Sequence, residues 1–210
     1  MKNEKYFLAD IGNSYFHIFD GRRVEHLPYK DAIEKYRYEN IKYISVKHQL
    51  SSKIEHIKNW ENISSTLTIE GEYSTMGVDR KALCLSHSSG VFIDAGSAIT
   101  VDVVENGVYV GGYIFPGIKA MLEAYKQISP VLDSSLNKNI SLLELPTKTK
   151  DGISYGIIAS IKVLIEKHRQ SKQLYFTGGD GELLSSFFDE AIYDETLVFQ
   201  GMKKSLEIKS

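Results

Sequence analysis

An apolar run that breaks into Asp-x-Gly and resumes as a second apolar run occurs twice in this chain, and no other feature constrains the fold as much. The first copy is Tyr6-Phe7-Leu8-Ala9-Asp10-Ile11-Gly12-Asn13-Ser14-Tyr15-Phe16-His17-Ile18-Phe19, closed by the hairpin dipeptide Asp20-Gly21. The second is Val91-Phe92-Ile93-Asp94-Ala95-Gly96-Ser97-Ala98-Ile99-Thr100-Val101-Asp102-Val103-Val104, closed by Asn106-Gly107. Aligning Asp10 with Asp94 places Gly12 on Gly96 and Asn13 on Ser97, with the closing turn two residues later in the second copy. Each arm of the second hairpin is therefore expected to be about one residue longer. A spacing of roughly eighty residues is too long for a solenoid repeat. It predicts two related halves, each opening on a β-meander.

Between the copies, Tyr43-Ile44-Ser45-Val46 reads as a strand, Ser51 to Trp60 as a short helix with Ile54 and Ile57 on one face, and Leu67-Thr68-Ile69 as a further strand. After the second copy, Gly111 to Phe115 reads as a strand with a tight loop at Pro116-Gly117. Ile118, Met121, Leu122 and Tyr125 then recur at helical spacing, as do Ile153, Ile157, Ile161, Leu164 and Ile165 in a longer helix. Leu174-Tyr175-Phe176 reads as a strand that ends in the glycine loop Thr177-Gly178-Gly179-Asp180-Gly181, with a short helix through Phe188. Leu197-Val198-Phe199 reads as a last strand and the tail as a helix. No low-complexity linker separates the halves, so lobes of 1–88 and 89–210 are expected around a cleft, and the last helix could return to the first lobe.

An Asp-x-Gly turn between strands is a physical device for phosphate. Glycine lets backbone N–H groups approach an anion, and the following Asn or Ser adds a donor. The aspartate is repelled by phosphate and needs a cation or water between them, so Asp10 reads as a residue of a Mg²⁺ shell. The bland alternative is an ordinary turn, since Asp, Gly and Asn form turns anyway. Two copies and a third glycine loop favour a nucleotide. The P-loop pattern Gly-x4-Gly-Lys-Ser/Thr is absent, so ATP would bind by the hairpin mode.

Bulk properties exclude other classes. With 25 Lys and Arg against 27 Asp and Glu the formal net charge is −2, which gives no electrostatic basis for nucleic acid or an anionic membrane as partner. No run is long enough to span a bilayer, and Met1-Lys2-Asn3-Glu4-Lys5 leads straight into the first strand without an apolar signal segment. Cys84 is the single cysteine, flanked by Ala82, Leu83 and Leu85, and reads as a buried structural thiol. The six histidines lie far apart in sequence without metal-ligand spacing. A cytoplasmic setting is the expectation.

Asp10-Ile-Gly-Asn-Ser14, Gly77-Val78-Asp79-Arg80, Asp94-Ala-Gly-Ser97, Gly111-Gly-Tyr-Ile-Phe-Pro-Gly117 and Thr177-Gly-Gly-Asp-Gly181 stand in an order that resembles type III pantothenate kinases across nearly the whole chain. Ser14 and Ser97 stand where threonine is more usual, which keeps the hydroxyl. The resemblance implies an α/β fold of two ribonuclease-H-like lobes, of the acetate/sugar kinase–Hsp70–actin type, around a central cleft. It implies ATP-dependent phosphorylation of pantothenate at its 4′-hydroxyl, with Mg²⁺ and a monovalent cation, K⁺ or NH₄⁺, by a homodimer using the apolar face of the Ile118 to Tyr125 helix. Asp79 is then the base. Asp10, Ile11, Gly12, Asn13, Ser14, Gly96 and Ser97 bind ATP, and Asp94 holds the monovalent cation. Tyr73, Gly77, Val78, Asp79, Arg80 and Thr149 bind pantothenate.

Local alternatives remain open beside these roles. Asp79 could cap a helix starting near Arg80, Arg80 could fix Asp79 or pair with a substrate carboxylate, Tyr73 could be a half-buried aromatic, and Thr149 a cap or turn residue. The competing functions are a kinase of the same fold acting on another small alcohol, and a nucleotide-binding regulator without transfer activity, since members of the family have been labelled transcription accessory factors.

Overall fold

The computed structural model describes residues 6–47 and 54–208. Its elements are β1 (Phe7–Ile11), β2 (Phe16–Phe19), β3 (Val24–Leu27), α1 (Tyr29–Tyr36), β4 (Ile41–Ser45), β5 (Trp60–Asn62), α2 (Val78–Leu85), β6 (Gly90–Ala95), β7 (Ala98–Glu105), β8 (Val108–Pro116), α3 (Ile118–Ile128), α4 (Thr149–Arg169), β9 (Leu174–Thr177), α5 (Gly181–Ser185), β10 (Ile192–Tyr193) and α6 (Leu197–Glu207). One sheet has the order β3-β2-β1-β4-β5 and the other β10-β9-β6-β7-β8. Read from the hairpin side, the two orders are the same. A three-stranded meander ends on a central strand (β1 or β6), and a parallel strand (β4 or β9) follows on its far side. The duplication visible in the sequence is a duplication of topology.

The chain divides into two compact units. One comprises Met1–Ser88, Val104–Val110 and Glu195–Ser210, the other Ser89–Val103 and Gly111–Asp194. In the first, the alternation along the strands separates two faces. Ala9, Ile11, Phe16, Ile18, Ile41 and Tyr43 pack with Ala32 and Tyr36 of α1, whereas Phe19, one residue from Ile18, stacks on Phe199 of α6 at 5.3 Å. In the second unit, Ile153, Ile157, Ile158, Ile161 and Ile165 of α4 share a core with Val91, Ile93, Ala95, Val101, Leu174 and Phe176. That four-residue spacing is why a stretch rich in β-branched residues is helical here: tertiary burial of one stripe overrides intrinsic propensity. α4 stops at Gln170, which has φ 51°.

Several expectations change. The arm before the turn is one residue longer in the second copy, six residues in β6 against five in β1, but the arm after it is far longer: β7 has eight residues where β2 has four. The first turn spends Gly12 to Tyr15 outside the strands and is closed by Gly12 N–H to Tyr15 O at 3.1 Å, while the second reverses over Gly96 and Ser97. Leu67-Thr68-Ile69 is not a strand. Leu67 and Ile69 are buried, but among the described residues the nearest pairing is an isolated bridge from the next residue, Glu70, to Val108. Leu197-Val198-Phe199 is the first turn of α6, because Gly201, Met202 and Ser205 continue a buried stripe of helical period. Ile192–Tyr193 supplies the last strand instead. The helix expected through Phe188 is regular only to Ser185. Residues 51–53 of the helix expected over Ser51 to Trp60 lie outside the described residues, as do residues 1–5. Beyond Ile54 that helix does not continue, and Trp60 opens β5. Cys84 is buried. His17 and His26 meet across β2 and β3, Nδ1 to Nδ1 at 2.6 Å, although they are nine positions apart. No helix among the described residues is long and apolar enough to cross a membrane.

Candidate functional site

In the first unit, the turn after β1 is built from side chains outside the motif. The Tyr29 hydroxyl donates to the Gly12 carbonyl at 2.7 Å, and Lys47 Nζ donates to the Asn13 carbonyl at 3.2 Å. Lys47 also lies 4.2 Å from the centre of the Tyr29 ring, a cation–π contact that fixes where its charge sits. Two consecutive carbonyls are thus taken by donors on one side. Asn13 and Ser14 remain exposed. Asp10 is half-buried one strand position before the end of β1, opposite His17. The Ile11 side chain is fully buried in the core, so this residue offers a ligand only its backbone. Lys47 and Tyr29 were not singled out in the sequence. A lone Lys after a strand and one tyrosine among 13 carry no local signal.

The second motif of this unit opens α2. Gly77 is the N-cap with no side-chain capping bond, Val78 is the first helical residue and Asp79 the second. Asp79 is therefore not the cap. Its Oδ1 accepts from the Arg80 backbone N–H at 2.8 Å, and a Cβ at position 77 would overlap that same oxygen, so glycine is required for the carboxylate to lie across the helix end. The first turn of a helix favours negative charge at that place. Arg80 is buried, with 6% of its surface exposed. Its Nη1 donates to the hydroxyl of the partly exposed Tyr73, and its Nη2 to the hydroxyl of the buried Tyr109 at 3.2 Å. The structure thus brings Tyr73 to Arg80 and Gly77 against the Asp79 carboxylate, and adds Tyr109, which the sequence did not suggest.

In the second unit three glycine segments converge. The Gly96 N–H donates to the Ala98 carbonyl at 3.0 Å, closing the turn at Ser97, and the Gly117 N–H donates to the Ser97 carbonyl at 3.1 Å. A Cβ on Gly117 would overlap the carbonyls of Gly96 and Ser97. The loop after β9 lies on the same turn: the Asp180 N–H donates to the Ala95 carbonyl at 2.9 Å, and Gly178, at φ +85°, is where a Cβ would strike Asp94 Oδ1 and the Ala95 backbone. Burial raises the pKa of Asp180 above the usual carboxylate value. Asp94 is half-buried, pairing in register with Thr177, and Ser97 is exposed. Thr149, also exposed, is the first residue of α4, with Lys148 as N-cap. Met121, Leu122 and Tyr125 of α3 are half-covered by this unit's own core.

Residues 40–171 match the family model of type III pantothenate kinase. A type III pantothenate kinase of Helicobacter hepaticus is 44% identical over 204 residues, spanning 95% of this chain and 98% of that one. A solved structure from Campylobacter jejuni, described as a conserved candidate Baf family transcriptional activator, superposes with a TM-score of 0.88 at 39% identity over 97% of this chain and 98% of its own. At 10% identity, a solved candidate 2-dehydro-3-deoxygalactonokinase from Sinorhizobium meliloti still superposes with a TM-score of 0.61 over 97% of this chain and 96% of its own. The fold is that of the acetate/sugar kinase–Hsp70–actin superfamily, and the chain belongs to the type III pantothenate kinase family.

Proposed function

We infer that this protein transfers the γ-phosphoryl group of ATP to the 4′-hydroxyl of pantothenate, the first step toward coenzyme A. The observation that carries the reading is the start of α2, where Gly77 makes room for an aspartate beside a buried, tyrosine-held arginine. In this reading Asp79 accepts the proton of the primary alcohol as its oxygen attacks the γ-phosphorus and ADP departs. The transition state of such transfers is loose, so aiming the hydroxyl in line contributes more than early deprotonation. The Arg80 N–H bond fixes one carboxylate oxygen, which is an aiming device. Arg80, Tyr73, Gly77, Val78 and Thr149 hold the acid.

The phosphates are assigned to the turns Ile11-Gly12-Asn13-Ser14 and Gly96-Ser97, where the Gly12 and Gly96 N–H groups close the turns onto Tyr15 and Ala98 and the exposed Asn13, Ser14 and Ser97 supply the donors. The Tyr29 and Lys47 bonds to the Gly12 and Asn13 carbonyls support this, since they hold that loop with its carbonyls already engaged. Asp10 would stand in the Mg²⁺ shell and Asp94 would ligate K⁺ or NH₄⁺. The fit is chemical: both are carboxylates near strand ends, hard oxygen donors, and Asp94 Oδ1 lies with the Ala95 carbonyl against Gly178. When bound, these ions supply positive charge that offsets the phosphates. The homodimer belongs to the same reading. Exposed Ile128, the last residue of α3, and Val131, just beyond it, extend its apolar residues.

Asp79→Asn tests the reading. The variant stays folded and binds ATP, while kcat for pantothenate falls by roughly 10²–10⁴-fold, the usual range for a lost general base. Turnover equal to wild type would remove Asp79 from its role. The Campylobacter jejuni description favours a second reading, a nucleotide-binding regulator without transfer. ADP release that requires both pantothenate and K⁺ excludes it, and ADP release indifferent to pantothenate supports it.

A further inference from the structure

Arg80 is enclosed by two phenols, and one of them arrives from a distant part of the chain. The guanidinium carbon lies 5.7 Å from the centre of the Tyr73 ring, and the Tyr73 and Tyr109 rings are 6.1 Å apart with their planes tilted by 48°. Burying a guanidinium is costly unless its N–H fork is directed at acceptors. Here the terminal nitrogens reach the two hydroxyls. Phenol oxygens are neutral acceptors that help to set the direction of the fork.

The Tyr109 backbone is itself pinned. Its N–H donates to the Glu70 carbonyl at 2.7 Å, Val108 bridges Glu70, and Gly71 is where any Cβ would overlap the Tyr109 carbonyl. The hairpin just before it reverses through Asn106 and Gly107, both at positive φ, and the Gly107 N–H is held by the Ser88 carbonyl at 2.7 Å. Residues 104–110 are accordingly part of the first unit although they lie at the tip of the β7–β8 hairpin.

We propose that Tyr109 is a positioning residue that sets the enzyme's preference for a carboxylate-bearing alcohol, acting through the Arg80 guanidinium. The proposal rests on the pantothenate reading above. The acceptor carries its reacting hydroxyl at one end and a carboxylate at the other, and a planar fork recognises a carboxylate only when its orientation is fixed. Tyr109 holds Nη2 as Tyr73 holds Nη1.

The test is steady-state kinetics of the full-length protein with pantothenate and with pantothenol, its uncharged counterpart bearing a hydroxymethyl group in place of the carboxylate. Tyr109→Phe removes one oxygen and keeps the ring. The expected result is a roughly tenfold rise in KM for pantothenate, the scale of one hydrogen bond to a charged group. The kcat should stay within about twofold and the KM for pantothenol should be unchanged. In an Arg80→Ala background the same change should add nothing. Equal losses on both acceptors, a loss that adds to that of Arg80→Ala, or a collapsed melting temperature would each make Tyr109 merely structural and overturn the proposal. If wild type phosphorylates pantothenate and Tyr109→Phe is indistinguishable from it, the proposal alone fails. Wild type inert toward pantothenate defeats the functional reading, and this proposal with it.

Discussion

Replacing Gly201 by alanine places a methyl group inside the Ala82 carbonyl, on top of the backbone where α6 crosses α2. No side chain can rotate aside, because the obstacle is main chain on both helices. The axes must part by roughly 1.5 Å to restore an ordinary carbon–oxygen contact, and a gap of about 1 Å already forfeits up to half of a dispersion well. The residues that these helices bury include Leu83, Cys84, Val198, Phe199 and Met202, each contributing on the order of 1.5–3 kcal/mol when fully packed. Overpacking in a core costs about 1–3 kcal/mol, and a backbone clash belongs at the top of that range. At about 2–4 °C per kcal/mol for a chain of this length, the melting temperature should drop by about 6–12 °C. Because α2 carries Asp79 and Arg80 in its first turns, the KM for pantothenate should rise as well. Calorimetry with far-ultraviolet circular dichroism and acceptor kinetics reads both effects. Gly156→Ala in α4 is the control: its Cβ would make an ordinary 3.7 Å contact with the Tyr125 hydroxyl, so better helix propensity should stabilise by about 0.5–1 kcal/mol. A Gly201→Ala protein that melts within about 1 °C of wild type, with unaltered KM, refutes the close-crossing account.

Two further outcomes follow from the first unit. Lys47→Met should raise the KM for ATP roughly tenfold, as expected for losing a charged donor at the Asn13 carbonyl, and leave the KM for pantothenate within twofold; an unchanged ATP KM would detach Lys47 from the nucleotide. His17 has its pKa lowered to about 4, by burial first and by the neighbouring His26 second, so the unfolded chain binds its proton more readily. Stability should therefore be full above about pH 6.5 and fall by at most about 3 kcal/mol as pH drops toward 4. A His17→Gln protein whose denaturant midpoint shows the same acid slope as wild type would contradict that.

The sequence by itself determined the two Asp-x-Gly turns, the strands before and after them, the helical stripe of α4 and the glycine loop after β9. All of these are written in periodicity and turn chemistry within a few neighbouring residues. The segment Gly77 to Arg80 was legible as a motif, yet whether Asp79 capped the helix could not be read locally. Tertiary structure decided that Gly77 is the cap, that Leu197 to Phe199 join a helix and that Leu67 to Ile69 find no partner strand. It also brought Tyr109 to Arg80, Lys47 to Asn13 and His17 to His26. Each of these depends on a neighbour supplied from elsewhere in the chain, or on the direction of a buried face. Local composition carries the preference of a backbone for a shape. Only packing carries the identity of what that shape will touch.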